Sequence, residues 1–348
     1  MELFKADKNM ASVTTIEKDG LVFHSAESEP FRIYGVFKLD GGYFRMPPDA
    51  AISVSSGVGS LANNTAGGRV RFKTNSKRIA IIASRNTVYT PDHMTYVLIA
   101  GFDMYADGEY AGTFRPGNLS GEQTFESSLR FDSPGERVIT IVFPAYGPVS
   151  DLMIGIDEGA TLSSAPDYEY EKPMVFYGSS ITQGGCASRP GMTYPDILSR
   201  SLSANYINLG FSGGAKGQDT MAEYIAGLDM SVFIYDYDRN AQSADHLENT
   251  HERMFLKIRE KNPDLPIVML TRTDYKHSTL REECRAVIKR TYDNAVARGD
   301  KNVYILYGSD IFGEVGNDGT VDGCHLTDLG FFCLARAVRP ILAEILKK

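Results

Sequence analysis

Two stretches of the chain carry side chains suited to attacking a carbonyl and moving its protons. Gly178-Ser-Ser-Ile-Thr-Gln-Gly-Gly185 puts serines at a tight turn, and Asp318-Gly-Thr-Val-Asp-Gly-Cys-His325 ends in an Asp-x-x-His. A serine hydroxyl attacks well only when a base takes its proton, and an imidazole is an ordered base only when a third group fixes its tautomer. Ser180, His325 and Asp322 can fill those three roles. Ser180 exposes its hydroxyl on a strand-to-helix turn, and the helix start supplies backbone N–H groups for a developing oxyanion. His325 takes the proton and returns it to a leaving alcohol. Asp322, three residues earlier on the same loop, reaches round to His325. The chemistry such a set could do is acyl transfer through a covalent serine ester.

Other spacings compete. Gly210-Phe-Ser-Gly-Gly214 matches the G-x-S-x-G elbow and would make Ser212 the nucleophile. No HGGG-type oxyanion motif accompanies it, and no strong amphipathic helix starts at Ser212. A second Asp-x-x-His, Asp274-Tyr-Lys-His277, also follows a strand, but His277 reads as a loop residue ahead of a capped helix. The glycines of 210–217 fit neither phosphate-binding pattern. His246 and His251 are five apart and do not share a helix face as zinc ligands at i, i+4 do. Cys186 and Cys324 each flank a chemical stretch, so a disulfide or thiol metal site is conceivable; two buried reduced thiols are the plainer reading. Taken singly, Ser180 is an ordinary turn or cap residue, Asp322 a loop turn and Asn240 a helix cap. Their joint register favours chemistry.

The elements that must position these residues divide the chain in two. Up to about residue 160 there is almost no helical period. The β-rich runs are Gly68–Thr74, Arg78–Ser84, Thr95–Ala100 and Arg137–Phe143, and Asp107-Gly108 between Phe102–Tyr105 and Tyr110–Phe114 is a hairpin signal. Many strands at short spacing imply an antiparallel β-sandwich, a jelly roll, over residues 1–160. Its expected role is structural support, since Trp is absent and no stacking platform for sugars stands out. A polar, proline-bearing linker is expected over 161–173.

Over 174–348 strands alternate with helices. Strands are expected at Met174–Tyr177, Tyr206–Leu209, Val232–Tyr235, Ile267–Leu270 and Val303–Leu306. Leu247, His251, Met254, Phe255 and Ile258 share one helix face, stopped by Asn262-Pro263. Leu280, Cys284, Val287, Ile288, Tyr292 and Ala295 share another, with Thr279 and Glu282 as its capping box and Gly299 at its end. A last helix starts near Thr327. This is an α/β class domain, a three-layer, doubly wound parallel sheet of flavodoxin-like kind, in which ligands bind beyond the carboxyl ends of the strands.

Gly178-Ser179-Ser180-Ile181-Thr182, Gly213, Asn240 and Asp322-Gly-Cys-His325 come in the order and spacing of the four sequence blocks of SGNH hydrolases, the GDSL esterase/lipase superfamily, which this sequence resembles over about 174–348. The preceding β-domain resembles the N-terminal jelly roll of a branch that includes carbohydrate O-acetyl esterases. The resemblance implies an oxyanion hole made by the Ser180 N–H, the Gly213 N–H and the Asn240 side-chain amide, with no metal and no cofactor. It implies a short-chain, acetyl ester of a small molecule, oligosaccharide or polysaccharide as substrate. Two departures stand out: Ser179 replaces the usual Asp of the first block, and Arg239 and Ala241 flank Asn240 where the third block reads Gly-x-Asn-Asp. The alternatives are a lysophospholipase-like or general carboxylesterase and, in another class, a non-catalytic carbohydrate-binding protein.

The composition is that of a soluble globular protein with ample core. The 348 residues are 43% hydrophobic and 23% charged, enough apolar content for two cores. Lys and Arg total 36 against 44 Asp and Glu, a formal net charge of −8, so the basic footprint of a nucleic-acid binder is missing. No apolar run approaches the ~20 residues of a membrane span. The first residues lack the apolar core of a secretory signal, and four cysteines are too few for a disulfide scaffold, so the expected compartment is cytoplasmic.

Overall fold

The computed structural model describes residues 15–84, 91–116, 124–273, 278–313 and 315–348. In the first half, β-branched and aromatic residues alternate along short strands, which pair antiparallel into two larger sheets and the two-stranded ribbon Phe37–Leu39 with Gly42–Phe44. One sheet runs Leu21–Ser25, Asp151–Asp157, Arg78–Ser84, Thr124–Arg130. The other runs Leu162–Ser163, Arg69–Thr74, Arg137–Val142, Phe102–Ala106, Glu109–Phe114, with Arg32–Tyr34 also pairing on Arg69–Thr74. Between them lies one core that includes Val70, Phe72, Ile81, Phe102, Ile139, Phe143 and Ile154. The Asp107-Gly108 hairpin forms, with both residues at positive φ (51° and 87°), as a two-residue turn matched to strand twist requires.

Three sequence expectations are corrected here. Thr95–Ala100 is not a strand: Tyr96–Ala100 is a short helix whose N-cap Thr95 accepts from the Leu98 N–H, burying Leu98, Ile99 and Ala100. A short continuous apolar run has no period that separates a strand from a buried helical turn. The first half also contains the helices Pro48–Val54 and Ser56–Leu61, the second capped by Ser55. Each is too short to display a stripe, and their Ala51 and Val58 pack into the core of the other half. Ser278, not Thr279, caps the helix Thr279–Ala297, accepting from Arg281 N–H.

The second half contains a five-stranded parallel sheet: Tyr170–Gly178, Ala204–Gly210, Val232–Asp236, Ile267–Leu270 and Val303–Leu306, in spatial order second, first, third, fourth, fifth. The first strand starts at Tyr170, ahead of the expected Met174, across a register shift between the two. Part of the expected linker is therefore sheet, as is Leu162–Ser163. Helices Asp219–Ala226, Ala244–Lys261 and Thr279–Ala297 cover one face; Tyr194–Leu202 and Asp328–Leu346 cover the other. This is the three-layer, doubly wound α/β arrangement. Among the described residues no helix is long and apolar enough to cross a membrane.

Ala204–Gly210 is an edge strand, and an edge presents unpaired carbonyls. The β-domain answers with two buried arginines. Arg69 Nη2 donates to Tyr206 O at 3.2 Å and to Asn205 Oδ1 at 2.8 Å. Arg45 Nη1 donates to Asn208 O at 3.2 Å and Gly210 O at 2.6 Å, while its Nη2 donates to Leu61 O at 2.8 Å. Each guanidinium also lies over a ring of the α/β half, Arg69 over Tyr206 at 4.0 Å and Arg45 over Phe211 at 4.6 Å. Arg45 is 2% exposed, and burial lowers its pKa to about 9, so it stays charged at neutral pH. Its removal strands two carbonyls at the strand end that leads to Gly213. Arg45→Met should destabilise the protein by about 2–4 kcal/mol, measured by chemical denaturation. A loss below about 0.5 kcal/mol would mean water replaces the guanidinium without cost.

Candidate active site

The first strand ends at Gly178, and the chain turns at once into the single-turn helix Ser180–Gln183. A Cβ at Gly178 would run into the Thr182 side chain and the Asp236 carbonyl, so only glycine lets the turn fold this tightly. Ser179, the departure from the family's first block, is the N-cap: its hydroxyl accepts from Ile181 N–H at 3.2 Å and its own N–H donates to Asp236 O at 3.1 Å. Thr182 Oγ1 donates to Asp236 Oδ2 at 3.0 Å, and Tyr194 OH to the same oxygen at 3.4 Å. Burial and then the nearby Asp238 push the Asp236 carboxyl up to about 8, so it is protonated at neutral pH and adds no charge beneath the turn.

His325 Nε2 lies 2.9 Å from Ser180 Oγ across 145 residues of sequence. Its Nδ1 lies 2.8 Å from Asp322 Oδ2. The other carboxylate oxygen, Oδ1, accepts the backbone N–H groups of Cys324 at 2.9 Å and His325 at 2.8 Å. With Nδ1 donating to the carboxylate, Nε2 presents its lone pair to the serine. Thus the structure brings Ser180, His325 and Asp322 together. Ser180 is 6% exposed, whereas Asp322 faces solvent.

The charges are coupled. The hydrogen bond to the Cys324 side chain, with that to Asp322 behind it, raises His325 to about 9 against the opposing effect of burial. Partial burial works against the Asp322 charge, but the bonds from His325 and the two N–H groups hold its carboxyl down at about 2. Arg239, the second departure, donates from Nε to Cys324 Sγ at 2.8 Å and so holds that thiol beside the base.

Gly213 sits at φ +66°, a left-handed conformation that a side chain would strain, and a Cβ there would meet only open space. Among the described residues no acceptor takes the N–H of Ser180 or Gly213. Asn240 differs. Its Nδ2 donates to Phe211 O at 3.1 Å and Ala215 O at 3.0 Å, so both amide hydrogens brace the Gly213 loop. Among the described residues no histidine bonds Ser212; its N–H donates to Gln183 Oε1 at 3.0 Å and its hydroxyl bonds Tyr146. Asp274 and His277 lie outside the described residues. His251 is buried, stacked on Tyr235, and desolvation lowers it to about 3, while His246 Nε2 lies 2.9 Å from Lys216 O. Both serve the fold.

Several site residues carry no readable sequence signal because the β-domain supplies them. Tyr146 OH donates to Ser180 O at 3.2 Å, and the His93 ring stands 5.5 Å from that of His325. From the α/β half, Gln183 Nε2 donates to Ala145 O at 3.2 Å, tying the nucleophile's helix to the β-domain. Cys186 and Cys324 are unpaired thiols. Burial, with Asp322 and Cys324 adding, pushes the Cys186 thiol up to about 12.

A serine bonded to an imidazole that is bonded to a carboxylate, at the carboxyl end of a doubly wound sheet, is the arrangement that serine hydrolases use. Comparison with known proteins agrees. Residues 171–343 match the GDSL-like lipase/acylhydrolase family, and residues 21–162 match the N-terminal domain of SGNH-hydrolase-type esterases. A GDSL-like lipase from Bacteroides ovatus ATCC 8483 is 30% identical with a TM-score of 0.82, over 94% of this chain and 98% of that one. A salicylyl-acyltransferase from a tetracycline biosynthetic pathway is 20% identical with a TM-score of 0.77, over 94% of this chain and 98% of that one. An acetyl xylan esterase from the rumen bacterium Butyrivibrio proteoclasticus is 12% identical with a TM-score of 0.59, over 94% and 99%. No curated protein sequence matches. The chain belongs to the GDSL-like lipase/acylhydrolase family and is a carboxylic ester hydrolase.

A base must be neutral to accept a proton, so with His325 in that role activity would belong to its deprotonated form. The kcat/KM of the wild-type protein should climb with pH and level off above about 9. Cys324→Ala removes the largest upward push, so its rising limb should move to lower pH. A profile flat between pH 7 and 10, or one unmoved by Cys324→Ala, would refute this account of the base.

Proposed function

We propose that the protein is a serine esterase whose chemistry needs no metal, and that it removes acetyl groups from a carbohydrate or glycoside. The observation that carries the mechanism is the 2.9 Å contact between Ser180 Oγ and His325 Nε2, with Nδ1 held by Asp322. Ser180 Oγ attacks the ester carbonyl carbon while its proton passes to His325 Nε2. The carbonyl oxygen becomes an oxyanion, received by the N–H groups of Ser180 and Gly213, each such donor being worth about 2.7–4 kcal/mol of barrier. Asn240 keeps its family position, and its bonds to Phe211 O and Ala215 O make it the residue that holds the Gly213 N–H on target. Collapse breaks the bond to the alcohol, which takes the proton from His325. Water then repeats the sequence on the acyl-serine and releases acetate.

The substrate reading is supported by the acetyl xylan esterase that shares this fold. It is supported too by the polar groups of the site, Tyr146 on Ser180 O, His93 beside the His325 ring and Arg239 on Cys324, which suit a hydroxylated alcohol better than an acyl chain. Support from the β-domain is then more than scaffolding, because Tyr146 reaches Ser180 and His93 stands beside His325.

Ser180→Ala should cut p-nitrophenyl acetate hydrolysis by at least about 10³-fold with circular dichroism unchanged, and His325→Ala should be nearly as severe because the group acts as a unit. Ser212→Ala should keep most activity; loss there with activity retained in Ser180→Ala would transfer the nucleophile to Ser212. On a panel of acetylated sugars and polysaccharides the enzyme should release acetate, and turnover should fall from acetyl to octanoyl esters. A rising chain-length profile would move the substrate to lipids.

A further inference from the structure

His325 has a second set of neighbours besides Ser180 and Asp322. Metal-ligating atoms of His93, Cys186 and His325 all lie within 4.8 Å of one another. The three come from separate places: a β-domain loop, the turn after the nucleophile's helix, and the loop before the last helix. Cys186 takes φ 73°, unusual for a residue with a side chain, at the place where its sulfur joins this group.

We propose that His93, Cys186 and His325 bind a thiophilic divalent cation, Zn2+, and that its binding switches the esterase off. One thiolate and two imidazoles are the donor set that Zn2+ takes, and Mg2+ or Ca2+ does not. Around a tetrahedral centre with Zn–N of about 2.0–2.1 Å and Zn–S of about 2.3 Å the ligand atoms stand about 3.3–3.6 Å apart. The group therefore needs to contract by about an ångström, and the half-exposed His93 on its loop has the freedom to supply that movement.

The tautomers favour it. His325 Nδ1 is held by Asp322 at 2.8 Å, and His93 Nδ1 stands 3.3 Å from Asp92 Oδ1. Each ring thus leaves Nε2 for a metal, with a carboxylate behind it, the arrangement that orients histidine ligands at zinc sites. The lone pair on His325 Nε2 that would bind the cation is the one that accepts the Ser180 proton. It cannot do both. Binding displaces the Cys186 thiol proton to solvent, and the fourth position is left to water. The inhibition rests on the esterase reading above, but the binding does not.

The test uses the intact protein and metal alone. Titration with Co2+ should produce thiolate-to-metal absorption in the near ultraviolet, which Zn2+ should bleach. Cys186→Ser should abolish the band and His93→Ala should weaken binding at least about tenfold, while Cys324→Ser should leave the band in place. In p-nitrophenyl acetate hydrolysis, Zn2+ should inhibit the wild type reversibly to chelator. Cys186→Ser should keep metal-free turnover within about twofold, and Cys186→Ser and His93→Ala, each compared with its own metal-free rate, should raise the inhibitory Zn2+ concentration at least about tenfold. No thiolate band, a band that follows Cys324 instead of Cys186, equal inhibition of all variants, or turnover unchanged or raised by Zn2+ would each overturn the proposal. Should the protein lack esterase activity altogether, the Co2+ titration still decides the site.

Discussion

The carboxylate of Asp322 is the point on which the site depends. It accepts three hydrogen bonds within its own turn, from the N–H groups of Cys324 and His325 and from His325 Nδ1. Two of these fold the loop and the third sets the ring. An exposed ion pair contributes little by itself, but a carboxylate that closes its own turn orders backbone and side chain together. Without it the imidazole would be free to rotate, and the reach to Ser180 from the far end of the chain would have no defined geometry.

The second requirement is that the nucleophile's turn be rigid. Its helix is one turn long and cannot hold itself together by helical bonds alone. Ser179, Thr182, the neutral Asp236 and the Gln183 bond to the β-domain supply what length does not. The two buried arginines explain why the β-domain belongs there. They satisfy the carbonyls of an edge strand that would otherwise invite pairing with another chain, and the strand they clamp leads directly into the Gly213 loop.

Much of this was legible in the residues. The five parallel strands have buried apolar runs bounded by polar turns, and the helices Ala244–Lys261 and Thr279–Ala297 bury the very stripes that 3.6-residue spacing marks out. Ser180, Asp322 and His325 were visible because their types and their positions after strands point the same way. Where the reading failed, the local pattern was short or equivocal. Tyr96–Ala100 and the two helices near residue 50 are single- or two-turn pieces whose shape is decided by caps and burial. The choice between Ser278 and Thr279 as cap is a matter of one backbone angle. Asn240 was placed at the site by its position, yet its amide is spent on two carbonyls that only the folded loop brings within reach.

What the chain alone determined, then, is the chemistry and the periodicity: which groups can attack, accept protons and orient one another, and which stretches must be buried. These depend on residue type and near-neighbour spacing, which sequence states directly. What the tertiary structure decided is every relation between distant segments. Tyr146 beside Ser180, His93 and Cys186 beside His325, and the arginines on the edge strand all arise because separate surfaces had to be buried against each other. Such contacts follow from the packing of whole layers, and no local spacing in the sequence encodes them.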